Sequence, residues 1–452
     1  MEGLGLIPGT VKRFDASTGL RVPHIGWSGL SVRPGVPLLA GCERERLYFV
    51  HSFAAFGGAS PAADAWTAAT CDYGGPFVAA VAKGGVHAVQ FYPEKSGSAG
   101  LGILNTFLSG KAGTASRPSP RSSPGSVSLP LARRVIACLD VRATDEGRLV
   151  CTKGAGYDVR DAADGGAVRN LGDPAEMAAR YAAEGADEVT FLNITGYRDS
   201  PLDDAPMLQL LRSTSEAVFV PLTVGGGIRA LTDGRGVSHT AVDVAAAYFR
   251  AGADKVSLGS DAVAAAEAYI AAGRVASGAS SLEAISAKYG AQAVVVSIDP
   301  RRVFVAHASD TRHETLRSPR PGPHGETLCW YQCTVAGGRE GRDISAQELA
   351  AAAEALGAGE LLLNCIDEDG RGDGFDTQLI ASVAARVSIP VIASSGAGSP
   401  QHFADVFGRT DASAALAAGI FHRNQVTIRQ VKEAMVDANI PTRVEAPAAA
   451  LV

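Results

Sequence analysis

The sequence predicts an α/β protein dominated by a (β/α)8 barrel, and three observations predict it. Eight apolar runs of strand length alternate with Ala-rich helical stretches, the last four runs echo the first four, and a Ser/Pro/Gly-rich stretch separates this region from a β-rich segment upstream. Parallel strands covered by helices on both faces read as continuous apolar runs, which is the pattern seen here. A doubly wound open sheet is the structural competitor, because it shares that alternation.

In chain order the runs are RVIACLD, EVTFLNI, VFVPLTV, DKVSLG, AVVVSID, ELLLNCI, IPVIASS and SAALAAG. The echo pairs ACLDV with VSIDP, AEGADEVTFLNIT with ALGAGELLLNCID, and TVGGGI with ASSGAG, at offsets of roughly 160 to 170 residues. Such self-similarity favours the closed barrel, built as two half-barrels. Between the runs, DGRGVSHT at 233–240 and the polar stretch around 306–327 are placed on loops.

Upstream, RLYFVHSF and FVAAVAKGGVHAVQF are strand-like runs punctuated by glycine turns, the mark of a largely β segment. The boundary is SGKAGTASRPSPRSSPGSVSLP, where apolar periodicity disappears. It divides the chain into residues 1–110, a linker at 111–130 and the barrel at 131–448.

Composition narrows the function. With 452 residues there is room for both a barrel and a companion domain with real cores. Forty-one basic against 47 acidic residues, a formal charge of -6, and no long Lys/Arg run argue against a nucleic-acid partner. No apolar run approaches membrane-spanning length, and the opening residues lack signal-peptide or transit-peptide character. Seven scattered cysteines in a large chain read as reduced thiols of an intracellular, soluble protein, with plastid and cytoplasm both compatible. Cys329 and Cys333 lack the second pair that a zinc site needs, and DEDGRGDG at 367–374 lacks the ligand spacing of a calcium loop. No metal or cofactor is expected.

Barrel chemistry sits at the carboxyl ends of the strands, so the residues ending each run are the candidates. Asp140 and Asp299 end runs one and five, equivalent points of the two halves, and are read as an acid/base pair. Glycine-rich turns follow run three (VGGGIR, with Gly226 and Gly227) and run seven (SSGAGS, with Ser395 and Gly396). Each can aim backbone N–H groups at a phosphate. Gly259 and Ser260 join the first corner and Gly419 the second, while Asp369 and Gly370 lie in the turn after run six. Two phosphate corners across one mouth imply an elongated substrate phosphorylated at both ends. Lys153, in the loop after run one, is read either as a neutraliser of substrate charge or as a solvated surface lysine.

These segments resemble the cyclase barrel of imidazole glycerol phosphate synthase, in its fused glutamine amidotransferase and cyclase form. The likeness rests on RRVIACLDVR, EVTFLNITGYRDSPL, VPLTVGGGI, GADKVSLGSDAV, GAQAVVVSIDP, CWYQCTVAGGRE, GAGELLLNCIDEDG and IPVIASSGAG. The resemblance implies a TIM-barrel lyase of histidine biosynthesis. Ammonia would attack a ribulosyl aminoimidazole carboxamide nucleotide bearing a phosphate at each end, giving imidazole glycerol phosphate and aminoimidazole carboxamide ribotide. It implies Asp140 and Asp299 as the acid/base pair and Lys153 as a substrate ligand. Gly226, Gly227 and Ser260 would hold one phosphate, with Asp369, Gly370, Ser395 and Gly396 on the other side. Arg134, Glu188, Lys255 and Glu360 match a charged ring through which ammonia enters the barrel; without the resemblance, surface salt bridges explain those four almost as well.

Upstream, GLGLIPGTVKRF, VPHIGWSGL, YFVHSF, ATCDYGGPFVAAV and VQFYPEKSGSAGLGILNTFL resemble the later part of a class I glutamine amidotransferase domain. The family's glutaminase uses a Cys in a G-x-C-x-G turn, activated by the His and acid of an FHPE motif. The sequence starts after the place of that turn, so the N-terminal half of the domain is expected to be missing. Tyr92 stands where the His belongs, leaving Glu94 with no imidazole to orient. A phenol is uncharged near neutrality and a poor proton acceptor. Glutaminase activity is therefore not expected, and free ammonia or a separate glutaminase would supply the nitrogen. Two readings compete: an isomerase barrel of the same pathway with the same two-phosphate layout, and a truncated copy retained as a non-catalytic scaffold.

Overall fold

The computed structural model describes residues 5–56, 61–111, 129–144, 148–152, 160–161, 167–168, 170–194, 202 and 205–444. Most of the linker, 112–128, and Lys153 lie outside the described residues. The chain divides into two compact units, Met1–Arg133 and Arg134–Val452.

In the first unit, strand His24–Gly29 pairs antiparallel with Arg46–His51. A four-stranded antiparallel sheet runs in the order Ser31–Val32, Thr67–Asp72, Pro76–Lys83, Val86–Val89. Helix Gly97–Leu108 comes next, and Phe14, Leu39, Phe49, Phe77 and Phe91 close one apolar core. Against that core stands a buried histidine pair. His24 Nδ1 lies 3.0 Å from His51 Nε2, and His24 Nε2 lies 3.0 Å from Ser28 Oγ. Burial holds His24 well below the ordinary imidazole range and pushes His51 down to about 4, so both stay neutral near neutrality.

The second unit is a closed barrel. Its eight parallel strands are Arg134–Ala143, Glu188–Asn193, Leu222–Gly225, Lys255–Leu258, Val294–Ile298, Glu360–Asn364, Val391–Ser394 and Ala414–Ala417, each paired with the next. The eighth closes on the first, through Ala414 opposite Arg134 to Ala417 opposite Ala137. Ile136, Cys138, Val295, Leu362, Ile392, Ala414 and Leu416 fill the inside. All eight expected runs are strands. The third is shorter than VFVPLTV suggests, beginning after Pro221, which has no N–H to give a ladder.

The outer helices begin on local chemistry. Thr240 with Asp243, Ser280 with Glu283, Ser345 with Glu348 and Thr427 with Gln430 form reciprocal capping boxes, each satisfying N–H groups a helix start would otherwise leave open. The loop expected at 233–240 is the turn of a short hairpin, Leu231–Thr232 with Ser238–His239. Beyond strand five the structure departs further from expectation. Pro300–Val305, Leu316–Arg317, Leu328–Val335 and Glu340–Ser345 build an antiparallel sheet inserted between strand five and helix Ala346–Ala355. Its strands frame the polar stretch around 306–327, for which the composition suggests only loop.

Candidate functional site

Topology puts the candidates at two ends of the barrel. Asp140 lies in the last part of strand one, opposite Leu192, and Asp299 follows strand five directly. Three strands lie between them in either direction around the ring, so the two half-buried carboxylates stand across the mouth from each other. The Asp299 carboxylate accepts from Ser297 Oγ at 3.2 Å and Asn364 Nδ2 at 3.3 Å. Burial raises its pKa above the ordinary carboxylate value, the two hydrogen bonds oppose that shift, and the Asp369 carboxylate adds to it. A carboxyl raised in this way exchanges protons nearer neutrality, which suits a general acid or base.

The glycine turns are demanded by their neighbours. Gly226 has φ +90°, and a Cβ there would lie 2.0 Å from the Asn193 carbonyl oxygen. Gly396 has φ +92°, and its Cβ would lie 2.1 Å from the Gly374 carbonyl oxygen. Gly227 (φ 79°), Gly370 (φ 75°) and even Ser395 (φ 71°) also take left-handed backbone, the conformation that turns successive N–H groups to one side. Ser260 opens the twelve-residue helix Ser260–Ala271, and its Oγ accepts from the Ala336 N–H at 3.3 Å. The strand-three and strand-four corner thus faces the strand-seven corner across the barrel, with Asp369 and Gly370 in the turn beside the latter.

Asn364, which the strand-end motifs do not single out, ties these parts together. The last residue of strand six, it donates to Asp299 and accepts from Ser394 Oγ at 3.3 Å and from Ser395 Oγ. Its only signal in sequence is a polar residue ending the run ELLLNCI, next to the carboxylate turn.

At the amino end, Arg134, Glu188, Lys255 and Glu360 are the first residues of strands one, two, four and six. None is a surface residue: they are 0, 0, 1 and 0% exposed, which overturns the surface salt-bridge account. Arg134 pairs with Glu188 at 2.8 Å and with Glu360, while Lys255 Nζ reaches both carboxylates at 2.7 Å. Thr223 Oγ1 adds a 2.5 Å bond to Glu188. Against burial, which disfavours its ionised form, Arg134 and Lys255 hold the Glu360 carboxyl below its ordinary range. Two cations alternate with two anions, a neutral buried square across the barrel floor.

In the first unit, Tyr92 precedes the short 3-10 turn Pro93–Lys95; it is 39% exposed, and its N–H donates to the Tyr48 carbonyl at 2.9 Å. Glu94 is exposed. Cys42 lies in a 3-10 turn and Cys71 in a strand, and burial pushes both thiols up to about 12. Neither is a thiolate near neutrality, so neither is poised as a nucleophile. Among the described residues, no group of three or more His, Cys, Asp and Glu is placed to hold a metal, and no helix is long and apolar enough to cross a membrane.

Comparison with known proteins gives the chain its relatives. A family model described as histidine biosynthesis protein matches residues 134–427. The chain is 56% identical over 444 residues to the chloroplastic imidazole glycerol phosphate synthase hisHF of Arabidopsis thaliana, covering 98% of this chain and 74% of that one. It is 52% identical to the hisHF of Emericella nidulans, over 98% of this chain and 82% of the relative. It is 41% identical to the subunit HisF of Corynebacterium diphtheriae, an alignment that spans 70% of this chain and all of that subunit.

Proposed function

The chain belongs to the imidazole glycerol phosphate synthase family, enzymes of histidine biosynthesis, and from that premise we propose how its residues divide the cyclase reaction. The lyase joins ammonia to a bis-phosphorylated ribulosyl aminoimidazole carboxamide nucleotide and releases imidazole glycerol phosphate and aminoimidazole carboxamide ribotide. Asp140 and Asp299 move the protons, one from each side of the reacting centre. The observation that carries this is the pairing of two carboxylates at strands one and five with left-handed turns after strands three and seven. That layout fits a substrate held by a phosphate at each end.

Gly226, Gly227 and Ser260 take one phosphate through backbone N–H groups and the start of a helix; Gly370, Ser395 and Gly396 take the other, with Asp369 beside them. Lys153 serves as a further substrate ligand from the loop after strand one. The buried square of Arg134, Glu188, Lys255 and Glu360 is the gate for ammonia. Neutral overall, it offers ammonium no net attraction, and parting one ion pair opens the floor.

Residues 1–110 form the amidotransferase-like domain, 111–130 the linker and 131–448 the cyclase. The phenol of Tyr92 and the raised thiols of Cys42 and Cys71 support a nitrogen supply other than glutamine hydrolysis by these residues, through free ammonia or a separate glutaminase. Seven buried free cysteines support a reducing compartment, plastid or cytoplasm. The experiment is steady-state turnover of the nucleotide by the purified chain with ammonium and, separately, with glutamine. Turnover is expected with ammonium alone; turnover with glutamine at negligible ammonium refutes the nitrogen-supply part, and none with ammonium refutes the cyclase part.

A further inference from the structure

Three residues beyond Asp299 the chain places an arginine inside the protein. Arg302 is 9% exposed, and its backbone N–H donates to Asp367 at 2.7 Å. Its guanidinium donates to Glu368 at 2.6 Å, to Asp376, and to the Tyr331 hydroxyl at 3.4 Å. Tyr331 in turn donates to Asp376 at 2.6 Å, and Asp376 caps helix Thr377–Ala384 through the Leu379 N–H. Glu368, 2% exposed, takes a second cation: both its oxygens accept from Arg320 Nη1, at 2.9 and 2.8 Å.

Glu368 leads directly into the substrate side of the barrel. Asp369 and Gly370 come next in the chain, and the Asp369 carboxylate acts electrostatically on Asp299. The same loop docks backbone to backbone on the strand-seven turn: Gly374 N–H donates to the Gly396 carbonyl at 2.8 Å, and a Cβ on Gly398 would lie 2.0 Å from the Gly372 carbonyl oxygen. One guanidinium therefore fixes the excursion after Asp299, the strand-six loop and the start of the next helix. A rigid planar fork can hold two carboxylates and a hydroxyl at once, whereas an ammonium is a point charge without that geometry.

We propose that Arg302 is a positioning residue of the cyclase: through Glu368 and Asp376 it sets the Asp369–Gly370 loop, and with it the strand-seven turn, relative to Asp299. What the loop holds rests on the function proposed above; the clamp itself does not. Small misplacements of a bound substrate are costly, up to about 100-fold in rate for about 1 Å. A clamp that joins one member of the acid/base pair to one phosphate corner acts on both kcat and the KM for the nucleotide.

The test compares the full chain with Arg302→Lys and Arg320→Ala, taking Arg386→Ala, which loses only an exposed ion pair with Glu314, as the control. Two readouts are taken: kcat and KM for the nucleotide at saturating ammonium, and amide hydrogen exchange over 366–376 and 394–399. The expected result for Arg302→Lys is a fall in kcat/KM of about 10-fold or more with a raised nucleotide KM, and faster exchange confined to those two segments. The control should change neither. If Arg302→Lys does not fold, Arg320→Ala, which frees the same Glu368 carboxylate from a half-exposed partner, is judged by the same readouts with a smaller expected effect. A lowered melting temperature with kcat and KM unchanged would make Arg302 merely structural and overturn the proposal; so would unchanged exchange in both segments. If the wild-type chain turns over no nucleotide, the functional reading falls and exchange alone judges the clamp.

Discussion

Substituting Asn364→Ala removes one of the two side-chain hydrogen bonds to Asp299 and leaves the opposing influences, burial and the Asp369 carboxylate, in place. Donation to a carboxylate favours its charged form, so its loss raises the Asp299 pKa further. A hydrogen bond to a charged group is worth about 1.5–3 kcal/mol, and one pKa unit corresponds to about 1.36 kcal/mol. At 3.3 Å the bond is long, which places the effect at the low end, about one unit. The assay is the pH dependence of kcat/KM for the nucleotide, with free ammonia rather than total ammonium held constant. The limb governed by Asp299 should move about one unit toward higher pH, whether Asp299 acts as base on the acid limb or as acid on the alkaline limb. An unmoved profile, or one moved toward lower pH, would refute the electrostatic account of this carboxyl.

Asp140→Asn and Asp299→Asn should each lower ammonium-dependent turnover by about 100- to 10,000-fold with near-native melting, because each removes a proton carrier and little packing. Gly396→Ala forces a Cβ to 2.1 Å from the Gly374 carbonyl oxygen at φ +92°, and should raise the nucleotide KM well before it unfolds the barrel. Glu360→Gln leaves Arg134 and Lys255 facing Glu188 alone and should destabilise the barrel by about 3–5 kcal/mol, read as an earlier chemical-denaturation midpoint. The first unit should lose stability on acidification. His51 at about 4 in the folded state against an ordinary 6.5 when unfolded means the unfolded chain binds the extra proton, so stability falls as pH drops through 6.5. Between pH 7 and pH 5 that amounts to about 2 kcal/mol from His51, with His24 adding in the same direction, and melts at the two pH values check it.

The barrel was legible because parallel strands buried on both faces leave long apolar runs, and the echo of ACLDV in VSIDP located Asp140 and Asp299 together. The antiparallel sheet inserted after strand five was not. Its middle stretch is rich in Arg, His, Pro and Gly, and the Leu316–Arg317 strand is two residues paired with Leu328 and Cys329. The charged ring was visible in sequence only through resemblance, although each member opens an apolar run, as in ELLLN. Burial inverts the ordinary meaning of such charges, and burial is a property of the closed barrel rather than of any one strand. Asn364 and Arg302 work through partners 29 to 74 residues away, so local patterning carried no sign of their roles.

The central claim, that the barrel builds an imidazole ring from ammonia with Asp140 and Asp299 as its proton carriers, is tested most directly by isotope. The purified chain is given the bis-phosphorylated nucleotide and ¹⁵N-ammonium, and products are followed by mass spectrometry. Equimolar imidazole glycerol phosphate and aminoimidazole carboxamide ribotide are expected, with a single ¹⁵N in the former, and loss of both in Asp140→Asn and Asp299→Asn. Isomerised nucleotide without ¹⁵N, or undiminished labelling in either variant, would contradict the claim.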